Sequence, residues 1–294
     1  MSKRKKFRFF GCILLCLGGI ILLLVGIVVV YWIIPYSPQK NRFNQQMEDY
    51  SNKINAVNEV CTREEIAALP EPLQRYCNYI GLENFSKYSV VRTIFSNTKF
   101  IFDSKSGKKL NMDYDLWLFY PQPFRSAFCK SSMYGIPFDG VDYFTEDLEG
   151  GMKGVLGKTI QIFDVHSEQG YQAGLISWLA ESLMINPSAL FSKYITYEVI
   201  DANHVKATIL YNGVSGSGII SIDESGAITE FYSDERQVEM VNGEETKIGW
   251  RCEYEDYQLK NGIVQPNTIR CIKVYPDKEV TYFDSDDFVI EYKK

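Results

Sequence analysis

Three carboxylates in this chain could have acid–base chemistry. Glu181 is the only charged residue in the apolar stretch 174–191, "GLISWLAESLMINPSALF", and a carboxyl buried beside Trp178 would have a raised pKa. Asp139 and Asp142 flank a glycine in "FDGVDYF", and paired carboxylates can divide acid and base roles. The plainer interpretations, which we favour, are a Glu181 that faces solvent and an Asp-Gly turn. A hydrolase or lyase that uses these residues therefore ranks last among the candidate functions.

The other residues with potential chemistry are two histidines, His166 and His204, and Arg236 in "FYSDER". We predict that neither histidine is a metal ligand and that both are ordinary surface or core residues. Arg236 could bind a carboxylate or phosphate group, although an ion pair with a neighbouring residue is the simpler interpretation. The sequence contains no G-x-S-x-G, P-loop or G-x-G-x-x-G motif. We therefore predict no catalytic residue, no metal and no cofactor.

The first 36 residues predict a membrane anchor. Residues 1–8 contain five Lys and Arg, and residues 9–36 contain no charge. About 20 apolar helical residues suffice to cross a bilayer, and Trp32 and Tyr36 lie where aromatic rings favour the headgroup layer. A basic head stays in the cytoplasm, so we expect a single-pass protein of the cell membrane with its C-terminal part outside. A cleaved signal peptide or lipoprotein signal fits less well, because the apolar run is long and mostly follows Cys12.

Charge changes sign across the predicted anchor. The head holds five of the 31 Lys and Arg, and all 37 Asp and Glu lie beyond it, which leaves the outer part with a net charge of −11. A nucleic-acid partner is excluded, because it needs a basic surface. The negative charge also argues against the outer part lying flat on anionic lipid.

Residues 37–68 predict a helical stalk. The apolar residues Phe43, Met47, Tyr50, Ile54, Val57 and Cys61 follow one another at alternating spacings of four and three, as in a heptad seam. This 43–61 seam could form a homodimer beside the membrane, or it could pack against the chain's own domain, which we favour because the seam is short. Thr62 and Glu65 then predict a capping box at the start of the next helix.

From residue 69 to 294 the sequence predicts an extracytoplasmic domain of mainly antiparallel β-structure, in the α+β class. In "LNMDYDLWLFY" apolar residues alternate with polar ones, which is typical of a half-buried strand. Turn signals between such segments indicate a meander of hairpins.

One hairpin register can be derived from its turn. If Asn261 and Gly262 form a two-residue primed turn, every paired position sums to 523. This register places Tyr254 opposite Ile269 and Cys252 opposite Cys271. A disulfide between these cysteines is compatible with the predicted compartment. Two buried thiols remain an equal alternative.

The stretch 174–191 is apolar over most of its circumference, so we expect a buried helix. A long twisted antiparallel sheet curves on itself and leaves a concave inner face to be filled. We predict a strongly curved half-barrel that is partly closed by short helices. The candidate ligand-binding residues of its interior are Trp178, Leu179, Glu181, Leu183 and Arg236.

Several segments resemble an uncharacterised bacterial family with a domain of unknown function. They are "LPEPLQRYCNYIGL", "PFDGVDYF", "GGMKGVLG", "GLISWLAESLMINPSAL", "FYSDER", "IGW" and "FVIEY", which together span about residues 69–292. The overall pattern also resembles the half-barrel of lipoprotein carriers, which implies a fold and no catalytic residue.

These observations lead to three functional hypotheses. The first is a membrane-anchored extracytoplasmic binding protein that holds an apolar or lipid-like ligand in the cavity of the curved sheet. The second is a structural or partner-interaction protein whose core is filled. The third is the hydrolase or lyase described above.

Overall fold

The computed structural model describes residues 3–101, 107–145, 150–166, 168–241 and 244–294, with the backbone alone for 3–10, 168, 237–241 and 244–246. The helices are α1 (Lys3–Ile33), α2 (Pro38–Lys53), α3 (Arg63–Ala67), α4 (Glu71–Ile80) and α5 (Glu168–Ile185), and a 3₁₀ helix follows at Pro187–Phe191. The predicted capping box is confirmed, because Thr62 and Glu65 each bind the other's backbone N–H.

Sixteen strands follow from residue 90 onward in the described part of the chain. They are β1 (Val90–Ile101), β2 (Lys109–Phe119), β3 (Phe124–Met133), β4 (Ile136–Phe144), β5 (Gly150–Leu156), β6 (Ile160–His166), β7 (Ile195–Val199), β8 (His204–Tyr211), β9 (Val214–Ile222), β10 (Ile228–Val241), β11 (Glu244–Glu255), β12 (Gln258–Lys260), β13 (Ile263–Gln265), β14 (Thr268–Val274), β15 (Glu279–Ser285) and β16 (Phe288–Tyr292).

Fourteen of these strands form one antiparallel sheet in the order β6-β5-β4-β3-β2-β1-β15-β14-β11-β10-β9-β8-β7, with β16 paired to β1. Consecutive strands mostly pair with each other, as in a meander. A sheet of this length accumulates the right-handed twist of its strands and curls. The result is the predicted half-barrel, partly closed by helices.

Helix α5 fills the inner face of the half-barrel. It contacts β3, β4 and β5 on one side and β8, β9 and β10 on the other. Two glycines permit this close approach, because a Cβ on Gly174 would lie 2.5 Å from Phe144 and a Cβ on Gly216 would lie 2.4 Å from Ile176. The buried Trp178 donates its indole N–H to the carbonyl of Phe119 at 3.0 Å.

Helix α2 covers part of the outer face. The Ser37 hydroxyl caps its N-terminus, Phe43 and Met47 are buried, and the Phe43 ring lies 5.7 Å from that of Phe128. The helix ends at Lys53, so the heptad spacing does not continue as one helix to residue 61. The seam packs against its own domain, which was the favoured alternative, and the homodimer stays a prediction.

The hairpin register derived from Asn261 and Gly262 is confirmed. Both residues have positive φ, 54° and 88°, as a primed turn requires. Strand β11 pairs with β14 so that Cys252 faces Cys271 and Tyr254 faces Ile269. The strands nearest the turn, β12 and β13, form a separate two-stranded sheet with the same register.

Leu183→Ala tests whether α5 belongs to the core of the fold. Leu183 is fully buried and Leu210 is exposed, so Leu210→Ala is a matched control. We expect Leu183→Ala to lower the free energy of unfolding by about 2–5 kcal/mol, because it leaves a cavity. Leu210→Ala should change it by less than about 0.5 kcal/mol. Urea unfolding followed by circular dichroism measures both values, and equal values would place α5 outside the core.

Candidate functional site

A cavity of about 110 Å³ lies between the C-terminal half of α5 and the inner faces of the central strands. Aromatic, methionine and cysteine side chains form most of its wall, and examples are Phe95, Met112, Trp250 and Phe283. The charged residues of the wall are Arg125, Asp142, Glu181 and Arg236. An apolar cavity with a few convergent polar groups is the usual form of a small-molecule site.

Arg125 on β3 is the centre of the charged cluster, and its side chain is only 2% exposed. Its Nε and Nη2 donate to the two carboxylate oxygens of Glu181 at 2.7 and 2.9 Å. Its Nη1 donates to Asp142 Oδ2 at 2.9 Å, and Nη2 also donates to the hydroxyl of Tyr114 at 2.6 Å. The guanidinium therefore ties α5 to β2 and β4 through hydrogen bonds that carry charge.

Burial and charge act in opposite directions on this cluster. Burial lowers the pKa of Arg125, but Asp142 and Glu181 together outweigh it, so the pKa rises well above its usual value. Burial raises the pKa of Glu181, and Arg125 offsets only part of that rise. Arg125 is therefore a permanent cation, and the Glu181 carboxylate is stabilised by Arg125 against the cost of its desolvation.

Arg236 on β10 lies at the edge of the cavity. Its Nε donates to the hydroxyl of Ser177 on α5 at 2.9 Å, and its guanidinium lies 4.2 Å from the centre of the Trp250 ring. This geometry combines a hydrogen bond with a cation–π contact. The positive charge is thus held where the cavity wall meets α5.

A second depression of about 350 Å³ lies beside the first, between strands β4 to β6 and the N-terminal half of α5. It is more open to solvent. Asp142, Met152 and Arg236 line both spaces. The open depression, which we name the entrance cleft, therefore borders the cavity at one acidic, one apolar and one basic side chain.

The chain matches a known protein family over most of its length. Residues 59–285 match the profile of a family of unknown function, DUF6544. The chain belongs to this family. The predicted resemblance to a domain of unknown function is therefore confirmed. No curated protein matches the chain.

One solved structure with a similar chain course is the crystal structure of LolA superfamily protein NE2245 from Nitrosomonas europaea. The match covers 75% of this chain and 93% of that chain, with 11% sequence identity and a TM-score of 0.38.

Of the five ligand-binding candidates in this DUF6544 domain, Glu181 and Arg236 line the cavity. Trp178, Leu179 and Leu183 are fully buried and are not part of the wall described above. A helix with apolar residues on most sides packs those sides into the core. Glu181 is the exception on α5, because Arg125 compensates its charge.

The two aspartates predicted as a pair are not brought together. Asp139 accepts a hydrogen bond from the Ser37 hydroxyl at 2.6 Å, beside α2 on the outer face. Asp142 contacts Arg125 inside the half-barrel. Side chains three residues apart on a strand project to opposite faces, so the Asp139/Asp142 form of the catalytic hypothesis is wrong.

Sequence reasoning missed Arg125 and Tyr114. The signal was present in "FRSAFCKSSM", where Arg125 shares a strand face with Ala127 and Cys129. A charged residue on a face of small apolar residues requires an opposite charge, and Glu181 was the available partner on an otherwise apolar helix.

The histidines lie outside the site. His166 Nε2 lies 2.8 Å from Asp164 Oδ1, and His204 Nδ1 lies 2.8 Å from Asp201 Oδ1. His166 is exposed and His204 is half-buried. The described residues contain no group of three or more His, Cys, Asp or Glu that could hold a metal ion.

Arg125→Met tests the charged cluster. The substitution leaves Glu181 and Asp142 without their cation, so we expect the free energy of unfolding to fall by about 3–5 kcal/mol. Adding Glu181→Gln should recover part of this loss, because it removes the uncompensated charge. Arg63→Met is a control, since Arg63 pairs with Glu83 on the surface and should cost less than about 1 kcal/mol. Urea unfolding that gives similar losses for Arg63→Met and Arg125→Met would contradict this account.

Cys252 and Cys271 also line the cavity, with their sulfur atoms 3.3 Å apart. The disulfide between them remains a prediction. Ellman titration of the unfolded, unreduced protein should detect two thiols fewer than the seven that the sequence contains. The variant with both cysteines replaced by serine should give the same count before and after reduction. Seven reactive thiols in the unreduced protein would refute the disulfide.

Proposed function

We propose that this chain is a membrane-anchored extracytoplasmic binding protein for a ligand with an apolar body and a polar end. The observation that carries this proposal is the apolar cavity that shares Asp142, Met152 and Arg236 with the open entrance cleft beside it. An apolar wall favours hydrocarbon because contact with it removes apolar surface from water. Asp142 and Arg236, where the cavity borders the entrance cleft, favour a polar group on the part of the ligand that lies beside them.

The dimensions favour an elongated amphiphile. The cavity of about 110 Å³ is somewhat smaller than the roughly 150 Å³ engineered cavity that accepts benzene. It therefore has room for the end of a hydrocarbon chain and not for a whole lipid. The entrance cleft, at about 350 Å³, has room for the rest. A fatty acid or a similar single-chain lipid fits these two spaces in sequence.

The membrane anchor is supported by the length and environment of α1. Its 31 residues correspond to about 46 Å at 1.5 Å per residue, more than the roughly 30 Å of a bilayer core. The helix is apolar enough to cross a membrane, and none of its most apolar window is buried in the protein. The basic residues before it favour a cytoplasmic N-terminus.

A cleaved signal sequence is disfavoured by contacts that α1 makes with the domain. Lys158 is buried and donates to the carbonyl oxygens of Tyr31 and Ile34 at 2.9 and 2.7 Å. Cleavage before the domain would remove both acceptors from a buried ammonium group, which is costly. The mature protein should therefore retain residues 1–36, and its intact mass measures this directly.

The ligand hypothesis is tested by native mass spectrometry and by binding of a fluorescent fatty acid to the full chain in detergent. We expect a retained ligand mass or saturable binding. Met152→Trp should abolish binding, because the larger side chain blocks the passage between cleft and cavity. Val289→Trp, at an exposed position on β16, should bind like the unmodified chain. No bound mass and no binding would favour the structural or partner-interaction hypothesis with a filled core.

A further inference from the structure

The hairpin between β5 and β6 is fastened to the end of α1. Lys158 at its turn is only 6% exposed, and its ammonium group binds the carbonyl oxygens of Tyr31 and Ile34. The last carbonyls of a helix have no partner within the helix, so a lysine here caps α1. At Gly157 a Cβ would lie 3.1 Å from the indole nitrogen of Trp32. The turn between β5 and β6 therefore lies beside the C-terminal end of α1.

The hairpin between β3 and β4 ends beside it. The backbone N–H of Gly157 donates to the carbonyl of Pro137 at 2.7 Å, and Pro137 is the second residue of β4. The turn before β4 carries Tyr134, which is 84% exposed. Ile160, the first residue of β6, is 63% exposed. Two adjacent hairpin ends thus present large apolar and aromatic side chains to the surroundings, next to the end of α1.

This end of the half-barrel also carries basic residues. The ammonium group of Lys108 lies 3.8 Å from the centre of the Tyr134 ring. Lys109 follows at the start of β2, and Lys130 lies on β3 three residues from its end; both are exposed. Tyrosine and lysine together are typical of protein surfaces at the lipid headgroup layer, where rings and long aliphatic stems are partly immersed. These lysines lie beside Tyr134 although residues 9–294 together have a net charge of −11.

We propose that this end of the domain, defined by Tyr134, Ile160 and Lys108, rests in the headgroup layer of the membrane that α1 crosses. The proposal rests on the proposed membrane anchor. The proposed partner of this patch is a lipid surface, because the patch lies next to the residues at which α1 would leave the apolar core of the bilayer. Exposed apolar side chains at this position lose contact with water when they enter that layer.

In this orientation the inner face of β4 to β6 connects the membrane to the entrance cleft. The register aligns three rows across these strands, beginning at the hairpin ends. The first row contains Phe138, Leu156 and Ile160, the second contains Gly140, Gly154 and Phe163, and the third contains Asp142, Met152 and Val165. The third row lines the cleft. A single-chain lipid that leaves the bilayer at the hairpin ends meets an apolar surface up to the charged junction.

The test is photo-crosslinking of the full chain in liposomes of phosphatidylcholine and phosphatidylglycerol. Tyr134, Ile160, Leu23 and Leu259 are each replaced, one at a time, by p-benzoylphenylalanine. Leu259 is the matched control, because it is exposed on the small β12–β13 hairpin. That hairpin contacts β16 through Asn261 and the Ile290 carbonyl, and β16 pairs with the first residues of β1. The last residues of β1 pair with the start of β2, which is the end that carries Lys108 and Lys109. Leu259 therefore lies toward the opposite end of the strands.

We expect lipid adducts, identified by mass spectrometry, at Leu23, Tyr134 and Ile160. We expect no adducts at Leu259. Adducts at Leu23 without adducts at Tyr134 and Ile160 would overturn the docking proposal and leave the anchor intact. No adduct at Leu23 would refute the membrane anchor itself. Adducts at Leu259 as frequent as at Tyr134 would show unspecific contact and would also overturn the proposal.

Discussion

The contact between Arg125 and Glu181 joins the two parts of the interior, the curved sheet and helix α5. The Arg125 side chain is 2% exposed and that of Glu181 is 22% exposed, so both charges lose most of their water. The desolvation of such a pair can exceed the attraction between its members. Well-packed apolar residues of similar size are often at least as stable in such a position. Stability alone therefore does not account for an ion pair here. The pair lies in the cavity wall, where it fixes α5 on the sheet and where Arg125 also holds Asp142, a residue shared with the entrance cleft.

The cavity exists because α5 approaches the sheet unevenly. At its N-terminal half, Gly174 and Gly216 allow contact with Phe144 and Ile176 at distances that no side chain at either position would permit. The C-terminal half faces the central strands across larger residues and across the charged cluster around Arg125. Interiors normally fill such space completely. A cluster that must keep its hydrogen-bond geometry cannot collapse onto the apolar wall, so the gap persists.

Local rules predicted much of this structure, and long-range pairing explains the rest. Alternation predicted the strands, the Asn261-Gly262 turn predicted the register that aligns Cys252 with Cys271, and apolarity predicted that α5 is buried. Side chains three residues apart on a strand face opposite sides, and this rule alone would have separated Asp139 from Asp142. The Asp139-Gly140 pair was instead interpreted as a turn. The partnership of Arg125 with Glu181 required the fold, because 56 residues separate the two in the chain. A helical wheel shows which sides of α5 are apolar, but it does not show which side faces a cavity.

The proposed position of the domain on its anchor rests on charge and hydrogen bonding together. A domain with a net charge of −11 is repelled by an anionic membrane, and the repulsion weakens within about 8 Å in physiological salt. The exception is the end where Lys108, Lys109 and Lys130 accompany Tyr134 and Ile160. Lys158 fastens the same end to the end of α1, so in the proposed arrangement this end is closest to the membrane. Repulsion over the rest of the surface and attraction at this end favour one orientation. In that orientation the apolar rows of β4 to β6 rise from the bilayer toward the only charged junction of the cavity wall found among the described residues.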